Sequence, residues 1–135
     1  MGKIIALTGA TGAMGGEVLK SLLSSSENFK IKCILFEEEK HINKFVKKLL
    51  KQGGNRIEAF RGDISDYNDC GKLIDGCDYV INCASIIPPK SDHNPHGTYL
   101  SNYVGTKNLV DAVKASGRED EIAFVHIATV ALYGN

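Results

Sequence analysis

The chain has 135 residues, a length typical of a single domain with its own hydrophobic core. Its 16 basic and 16 acidic side chains cancel, so we expect neither nucleic acid nor an anionic membrane as a partner. The N-terminal "MGKIIALTG" lacks the apolar core of a signal peptide, and no apolar run is long enough to span a bilayer, so we expect a cytoplasmic protein.

Five apolar runs of strand length alternate with helical patterns along the chain. The predicted strands cover residues 3–7, 29–36, 56–60, 78–83 and 122–128. Their nearly continuous apolar character suits strands that are covered on both faces, as in a parallel sheet.

Helical periodicity fills three of the intervals between these strands. One apolar stripe consists of Val18, Leu19, Leu22 and Leu23, and a second of Ile42, Phe45, Val46, Leu49 and Leu50. A third helix is predicted over residues 98–116 and is preceded by a long irregular loop, residues 86–97. The alternation predicts an α/β fold, a doubly wound parallel (Rossmann) sheet in one domain of residues 1–135.

The segment "LTGATGAMGG" follows the first predicted strand directly and precedes the first predicted helix. In a strand–turn–helix context, the glycine at position 9 permits a tight turn out of the strand. The glycine at position 12 lets a diphosphate approach the backbone, and the glycine at position 15 lets the helix pack closely on the sheet. A strand-to-helix turn with incidental glycines is the alternative, but this context favours a dinucleotide cofactor, NAD or NADP. The predicted cofactor contacts in this turn are Gly9, Thr11, Gly12, Ala13, Met14 and Gly15.

An acidic side chain at the end of the second strand is the usual partner of the adenosine ribose. The segment "CILFEEEKH" offers Glu37 at this point, followed by two further carboxylates. The three carboxylates would repel a 2′-phosphate, which favours NAD over NADP. The same acidic residues also suit the solvated start of a helix, and both interpretations remain open.

The four cysteines and four histidines show no metal-ligand spacing. We expect the cysteines to be small buried side chains in a reducing compartment, without disulfides, and we predict no metal site.

The segments "TGATGAMGG", "GDISD", "NCAS", "SNYVGTKN" and "FVHIATVALYGN" occur in the order and spacing of a known family. The chain resembles the N-terminal part of the extended short-chain dehydrogenase/reductases, of the NAD-dependent epimerase/dehydratase type. The resemblance implies adenine contacts at Asp63 and Ile64, although an aspartate after glycine also suits a turn. It further implies a cofactor-lining strand end at Asn82, Ala84 and Ser85, and a helix residue beside the site at Asn102.

The resemblance also implies that Thr129 is a catalytic residue whose hydroxyl binds the reacting oxygen. A β-branched residue that merely ends a strand is the alternative. The family's Tyr and Lys, four residues apart, follow this segment, whereas Tyr103 and Lys107 precede it and are rejected as that pair. Tyr133 has no lysine four positions later.

We therefore expect five strands of the sheet, with the later strands and the substrate region absent. The chain alone is expected to bind a dinucleotide without efficient hydride transfer. The full-length parent would be an oxidoreductase or epimerase for a sugar nucleotide or related metabolite. A non-catalytic dinucleotide sensor is the alternative, and the resemblance implies a homodimer through the helix at residues 98–116.

Overall fold

A computed structural model of the protein describes residues 2–129. Its five strands are all parallel and form one sheet in the order β3-β2-β1-β4-β5. The strands are β1 (Ile4–Thr8), β2 (Lys30–Leu35), β3 (Ile57–Arg61), β4 (Tyr79–Asn82) and β5 (Ala123–His126). The predicted doubly wound parallel sheet is confirmed, with boundaries that shift by one or two residues.

The helices connect these strands and cover both faces of the sheet. They are α1 (Ala13–Ser24), α2 (Lys44–Gly53), α3 (Tyr67–Ile74), α4 (Lys90–His93), α5 (Pro95–Thr98) and α6 (Thr106–Ala115). A π-helical segment, Tyr99–Gly105, leads directly into α6, and 3₁₀ turns occupy Glu39–His41 and Gly54–Arg56.

Two hydrophobic clusters lie on opposite faces of the sheet, because successive strand residues point to opposite sides. On β1, Ala6 belongs to the cluster under α3 and α6, whereas Leu7 belongs to the cluster under α1 and α2. The largest fully buried side chains include Leu7, Leu19, Ile31, Leu73 and Leu109. The central strands are thus covered on both faces, as their sequences predicted.

The edge strands do not follow that prediction. The exposed residues of β3 include Glu58 and Ala59, and three of the four residues of β5 are exposed. An apolar edge strand has fewer neighbours than a central strand of similar composition, and sequence periodicity cannot distinguish the two. Phe45, predicted within the buried stripe of α2, is likewise 41% exposed.

Helix α3 was not among the predicted helices. The Asp66 side chain caps it by accepting hydrogen bonds from the backbone amides of Asn68 and Asp69, at 2.8 and 3.3 Å. Its buried residues are Cys70, Leu73 and Ile74. This spacing of i, i+3 and i+4 after a capping aspartate was the signal that could have predicted it.

The prediction that residues 86–97 form one irregular loop is wrong in detail. The segment contains the single-turn helix α4 and most of the single-turn helix α5, which starts at a proline and is capped by Asn94. The predicted helix of residues 98–116 is present, but Thr98 ends α5, residues 99–105 are π-helical, and α6 begins at Thr106.

The strand order locates the place where a ligand crevice is expected. The chain leaves β1 toward β2 and β3 on one side and returns to β4 and β5 on the other. In open parallel sheets, ligands bind at the carboxyl ends of the strands where the strand order reverses, which here is between β1 and β4.

The packing of α6 predicts that alanine substitutions at two adjacent residues lower the free energy of unfolding by very different amounts. Leu109 is fully buried, whereas Val110 is 36% exposed. Leu109→Ala should lower the free energy of unfolding by about 2–5 kcal/mol, because it leaves a cavity. Val110→Ala should change it by about 0.5 kcal/mol or less. Urea denaturation measures both, and equal losses would contradict this packing.

Candidate dinucleotide-binding site

Two glycines of the turn between β1 and α1 are required by the protein's own packing. Gly9 has φ of +71°, and a Cβ atom there would lie 2.6 Å from the backbone nitrogen of Ala84 and the carbonyl carbon of Cys83. Gly15 is buried, and a Cβ atom there would overlap the carbonyl group of Gly9. These glycines let α1 approach the carboxyl ends of β1 and β4 closely.

Gly12 differs from them, because the protein leaves room for a side chain at this position. Among described residues, the only atom within 4 Å of a Cβ built there is the Gly9 carbonyl oxygen, at 3.4 Å. Gly12 is exposed and is the N-cap of α1 without a side-chain cap, and the first turn holds no acidic residue. The first-turn amides of Ala13, Met14 and Gly15 therefore suit an anion such as a diphosphate.

Glu37 and Asn43 hold the glycine-rich turn from the neighbouring elements. The Thr11 hydroxyl donates a hydrogen bond of 2.8 Å to Oε2 of Glu37. The Asn43 amide donates to the Thr11 carbonyl at 3.1 Å, and its Oδ1 accepts from the Val46 backbone amide, which caps α2. The turn is thus attached to both the end of β2 and the start of α2.

The acidic cluster after β2 is partly neutralised by cations. Glu38 lies 3.1 Å from the Lys40 amine and 3.9 Å from the guanidinium of Arg61. Glu37 is half-buried against the turn, whereas the preceding residue, Phe36, is 67% exposed. Glu37 is therefore the acidic side chain that contacts the glycine-rich turn.

Asp63 forms a turn after β3. Its Oδ1 accepts a hydrogen bond from the Ser65 amide at 2.8 Å, and its own amide donates to Oδ2 of Asp69 at 3.0 Å. The turn role that sequence left open is therefore present, and an adenine contact remains a prediction.

Ile64, the next residue, is held through both its side chain and its carbonyl oxygen. The carbonyl accepts hydrogen bonds from the Asn108 amide at 3.0 Å and the Cys70 thiol at 3.2 Å. Burial, followed by the nearby carboxylates of Asp69 and Asp66, raises the pKa of Cys70 to about 12. The thiol thus stays protonated and remains a donor.

The helix that follows α5 connects the loop after β4 to the site. Asn102, in the π-helical segment, accepts a hydrogen bond from the Ile86 amide at 2.8 Å and donates to the Ile86 carbonyl at 2.9 Å. π-Helical turns often occur at functional sites, because they displace side chains from the regular helical positions.

Three further residues of this helix contact other parts of the site, and none of them was predicted from sequence: Gly105, Thr106 and Asn108. A Cβ atom at Gly105 would overlap the side chain of Ile64, so the helix packs tightly there. The Thr106 hydroxyl accepts from the Asn82 amide at 3.2 Å, and Asn108 binds the Ile64 carbonyl. The spacing N-x-x-G-T-x-N was visible, but the partners are distant in sequence.

A buried polar network joins β1 to β4 at their carboxyl ends. Thr8 and Asn82 are 0% and 1% exposed, and the Thr8 hydroxyl donates to Oδ1 of Asn82 at 2.6 Å. The same hydroxyl accepts from the amides of Cys83 and Ala84, at 3.1 and 3.0 Å. The half-buried Ala84 and exposed Ser85 then line the strand end.

Thr129 is exposed, three residues beyond the end of β5.

The two residues rejected as the family's Tyr–Lys pair have other contacts. Lys107 donates to Asp111 at 2.6 Å, and this contact raises the pKa of the Lys107 amine. Tyr103 stacks on Tyr99 with ring centroids 5.3 Å apart. Tyr133 lies outside the described residues.

Within residues 2–129, no group of three or more His, Cys, Asp or Glu side chains could hold a metal ion. Cys33, Cys70 and Cys77 are buried, whereas Cys83 is half-buried, and all four are free thiols. Over the same range, the helices are too short or too polar to cross a membrane.

The fold and the uncapped, glycine-rich start of α1 define a dinucleotide-binding α/β domain. A sequence model of the NAD dependent epimerase/dehydratase family matches residues 5–135, and the chain therefore belongs to this family. The predicted family is confirmed, and so is the class of cofactor that its members use.

Two curated relatives match nearly the whole chain. The chain is 29% identical over 133 residues to an uncharacterized membrane protein of Methanocaldococcus jannaschii. It is also 29% identical over 123 residues to UDP-N-acetylglucosamine 4,6-dehydratase (inverting) of Campylobacter jejuni. The alignments cover 94% and 90% of this chain, which spans 36% of the length of each relative.

A solved structure agrees with the sequence comparison. The Bordetella bronchiseptica enzyme WbmH, in complex with NAD+, is 26% identical and superposes with a TM-score of 0.75. The match covers 99% of this chain and 41% of that one.

The double hydrogen bond of Asn102 predicts a local effect. Asn102→Ala should accelerate hydrogen exchange at the Ile86 amide and lower the free energy of unfolding by about 1–3 kcal/mol, because two partly buried backbone groups lose their partner. Asn94→Ala is the matched control, since Asn94 caps only the exposed single-turn helix α5. Hydrogen–deuterium exchange measures both, and unchanged exchange at Ile86 in Asn102→Ala would refute the attachment.

Proposed function

We propose that this chain is the NAD-binding part of an oxidoreductase or epimerase. Its substrate would carry a reacting hydroxyl or carbonyl group on a sugar nucleotide or related metabolite. The observation that carries the proposal is Gly12. Its missing side chain is not required by the protein's packing, and it opens the start of α1 to an anion.

The diphosphate of the cofactor would lie against the amides of Ala13, Met14 and Gly15. The N-cap residue provides no side-chain acceptor for these amides, and the positive end of the α1 dipole favours a negatively charged one. Gly9 and Gly15 bring this helix end to the crevice between β1 and β4, where parallel sheets of this kind bind ligands.

The adenosine would lie toward β2 and β3. Glu37 would accept hydrogen bonds from its ribose hydroxyls, because its carboxylate already lies beside the glycine-rich turn. Ile64 would pack on the adenine ring and Asp63 would accept from its amino group. The negative charge of Glu37 supports NAD over NADP, since a 2′-phosphate would be repelled there.

The other half of the cofactor would lie along Asn82, Ala84 and Ser85, with Asn102 holding the adjacent loop. The nicotinamide ring supplies hydride donor and acceptor chemistry when it is bound. The Thr129 hydroxyl would hold the reacting oxygen of the substrate and share its proton. Residues 86–97 would line the substrate pocket.

The sugar-nucleotide class rests on the family and on the C. jejuni relative, whose name specifies a dehydratase of UDP-N-acetylglucosamine. The hydroxyl-binding role of Thr129 suits that class, because epimerases and dehydratases of a sugar both react at a carbon that bears a hydroxyl group. The exposed position of Thr129 beyond β5 supports access by such a substrate.

Gly12→Val tests the proposal. A valine side chain would occupy the diphosphate position, and loss of about two charge-assisted hydrogen bonds should raise the Kd of NADH by roughly 100-fold or more. Isothermal titration calorimetry measures this change. The backbone at Gly12 has φ of −81°, which any residue adopts, so the unfolding temperature should change little.

Gly71→Val is the matched control, because no described residue outside the backbone of α3 lies within 4 Å of a Cβ built at this glycine. It should bind NADH as the wild type does. An unchanged Kd in Gly12→Val would reject the diphosphate site.

A further inference from the structure

The imidazole of His126 is attached to the buried network at the carboxyl ends of the strands. His126 ends β5 and lies in register with Asn82 of β4. Its Nδ1 atom lies 3.2 Å from Nδ2 of Asn82. No role was predicted for this histidine from sequence, and the dinucleotide site as described does not use it.

The donors and acceptors of this network can be assigned in order, starting at Thr8. The Thr8 hydroxyl oxygen accepts from two backbone amides, so its single proton is directed to Oδ1 of Asn82. Oδ1 of Asn82 is therefore the acceptor, and its Nδ2 group must donate both remaining hydrogen bonds.

The two protons on Nδ2 of Asn82 have two partners. One partner is the Thr106 hydroxyl, at 3.2 Å, which in turn donates to the Asn102 carbonyl at 2.8 Å. The other partner is Nδ1 of His126, which must then be unprotonated. The geometry therefore assigns the ring proton to Nε2 of His126, with Nδ1 as the acceptor.

This hydrogen bond matters because Asn82 is only 1% exposed. Without the His126 acceptor, one N–H of this buried amide would lose its partner on β5, which favours reorientation of the side chain. Reorientation would remove the acceptor for Thr8. Thr8 orients the amides of Cys83 and Ala84, whose backbone contacts Gly9 of the glycine-rich turn.

We propose that His126 is a positioning residue for the dinucleotide site. As an Nε2–H tautomer it accepts from Asn82, and through Asn82 and Thr8 it fixes the end of β4 against the glycine-rich turn. The proposal rests on the proposed dinucleotide-binding function and adds to it a side chain on β5 that acts on the site without contacting the diphosphate.

Nitrogen NMR of the imidazole at neutral pH tests the hydrogen-bond assignment without any cofactor. The expected spectrum shows an unprotonated Nδ1 and a protonated Nε2 for His126 in the wild-type protein. In Asn82→Leu, which lacks the donor, His126 should lose this single-tautomer signature. A wild-type His126 with its proton on Nδ1 would overturn the proposal.

Binding of NADH tests the positioning role. His126→Phe keeps a planar ring but removes the acceptor, and its Kd should rise by about 3- to 10-fold, the effect of one lost hydrogen bond. His126→Asn places an oxygen acceptor near the position of Nδ1 and should restore most of the affinity. Chemical shifts of the Cys83 and Ala84 amides should change in the Phe variant and recover in the Asn variant.

The outcomes separate the two proposals. Absence of NADH binding by the wild-type protein would reject the proposed function, whereas wild-type affinity in His126→Phe would reject the positioning role. If His126→Phe does not fold, the His126→Asn variant decides. A Kd of that variant more than 10-fold above the wild-type value would reject the positioning role, because a hydrogen-bond acceptor at this position would then not be sufficient for binding.

Discussion

The close approach of the α1 amino terminus to the ends of β1 and β4 is the constraint on which the site depends. Gly9 permits it because its φ is positive and its missing Cβ leaves room for the backbone of Cys83 and Ala84. Gly15 permits it because α1 packs directly on the Gly9 carbonyl. At this position the first-turn amides of α1 have no side-chain cap, and the missing side chain of Gly12 leaves them accessible to a ligand.

Side chains from distant segments hold the other parts of the crevice around this helix end. Glu37 and Asn43 attach the turn to β2 and α2, and the helix containing Asn102 and Asn108 attaches the loops after β4 and β3. Site geometry therefore depends on packing across the whole sheet. This dependence is typical of sites that must hold an extended ligand in one orientation.

Much of this was predictable from sequence, because local patterns determine it. Strand–glycine–helix order, apolar runs and the family motifs predicted the parallel sheet and the glycine-rich turn. The partners of Thr8, Thr106 and His126 were not predictable, since each lies on another element 20 or more residues away. The exposure of the edge strands β3 and β5 was also not predicted, because it depends on strand order rather than on composition.

The most direct measurement is the change in backbone amide chemical shifts when NAD+ is titrated into the ¹⁵N-labelled protein. The amides of Ala13, Met14 and Gly15 should respond most strongly, with downfield proton shifts that indicate hydrogen bonds to phosphate oxygens. Saturable binding that leaves these three amides unperturbed, or no binding at all, would contradict the proposed diphosphate site.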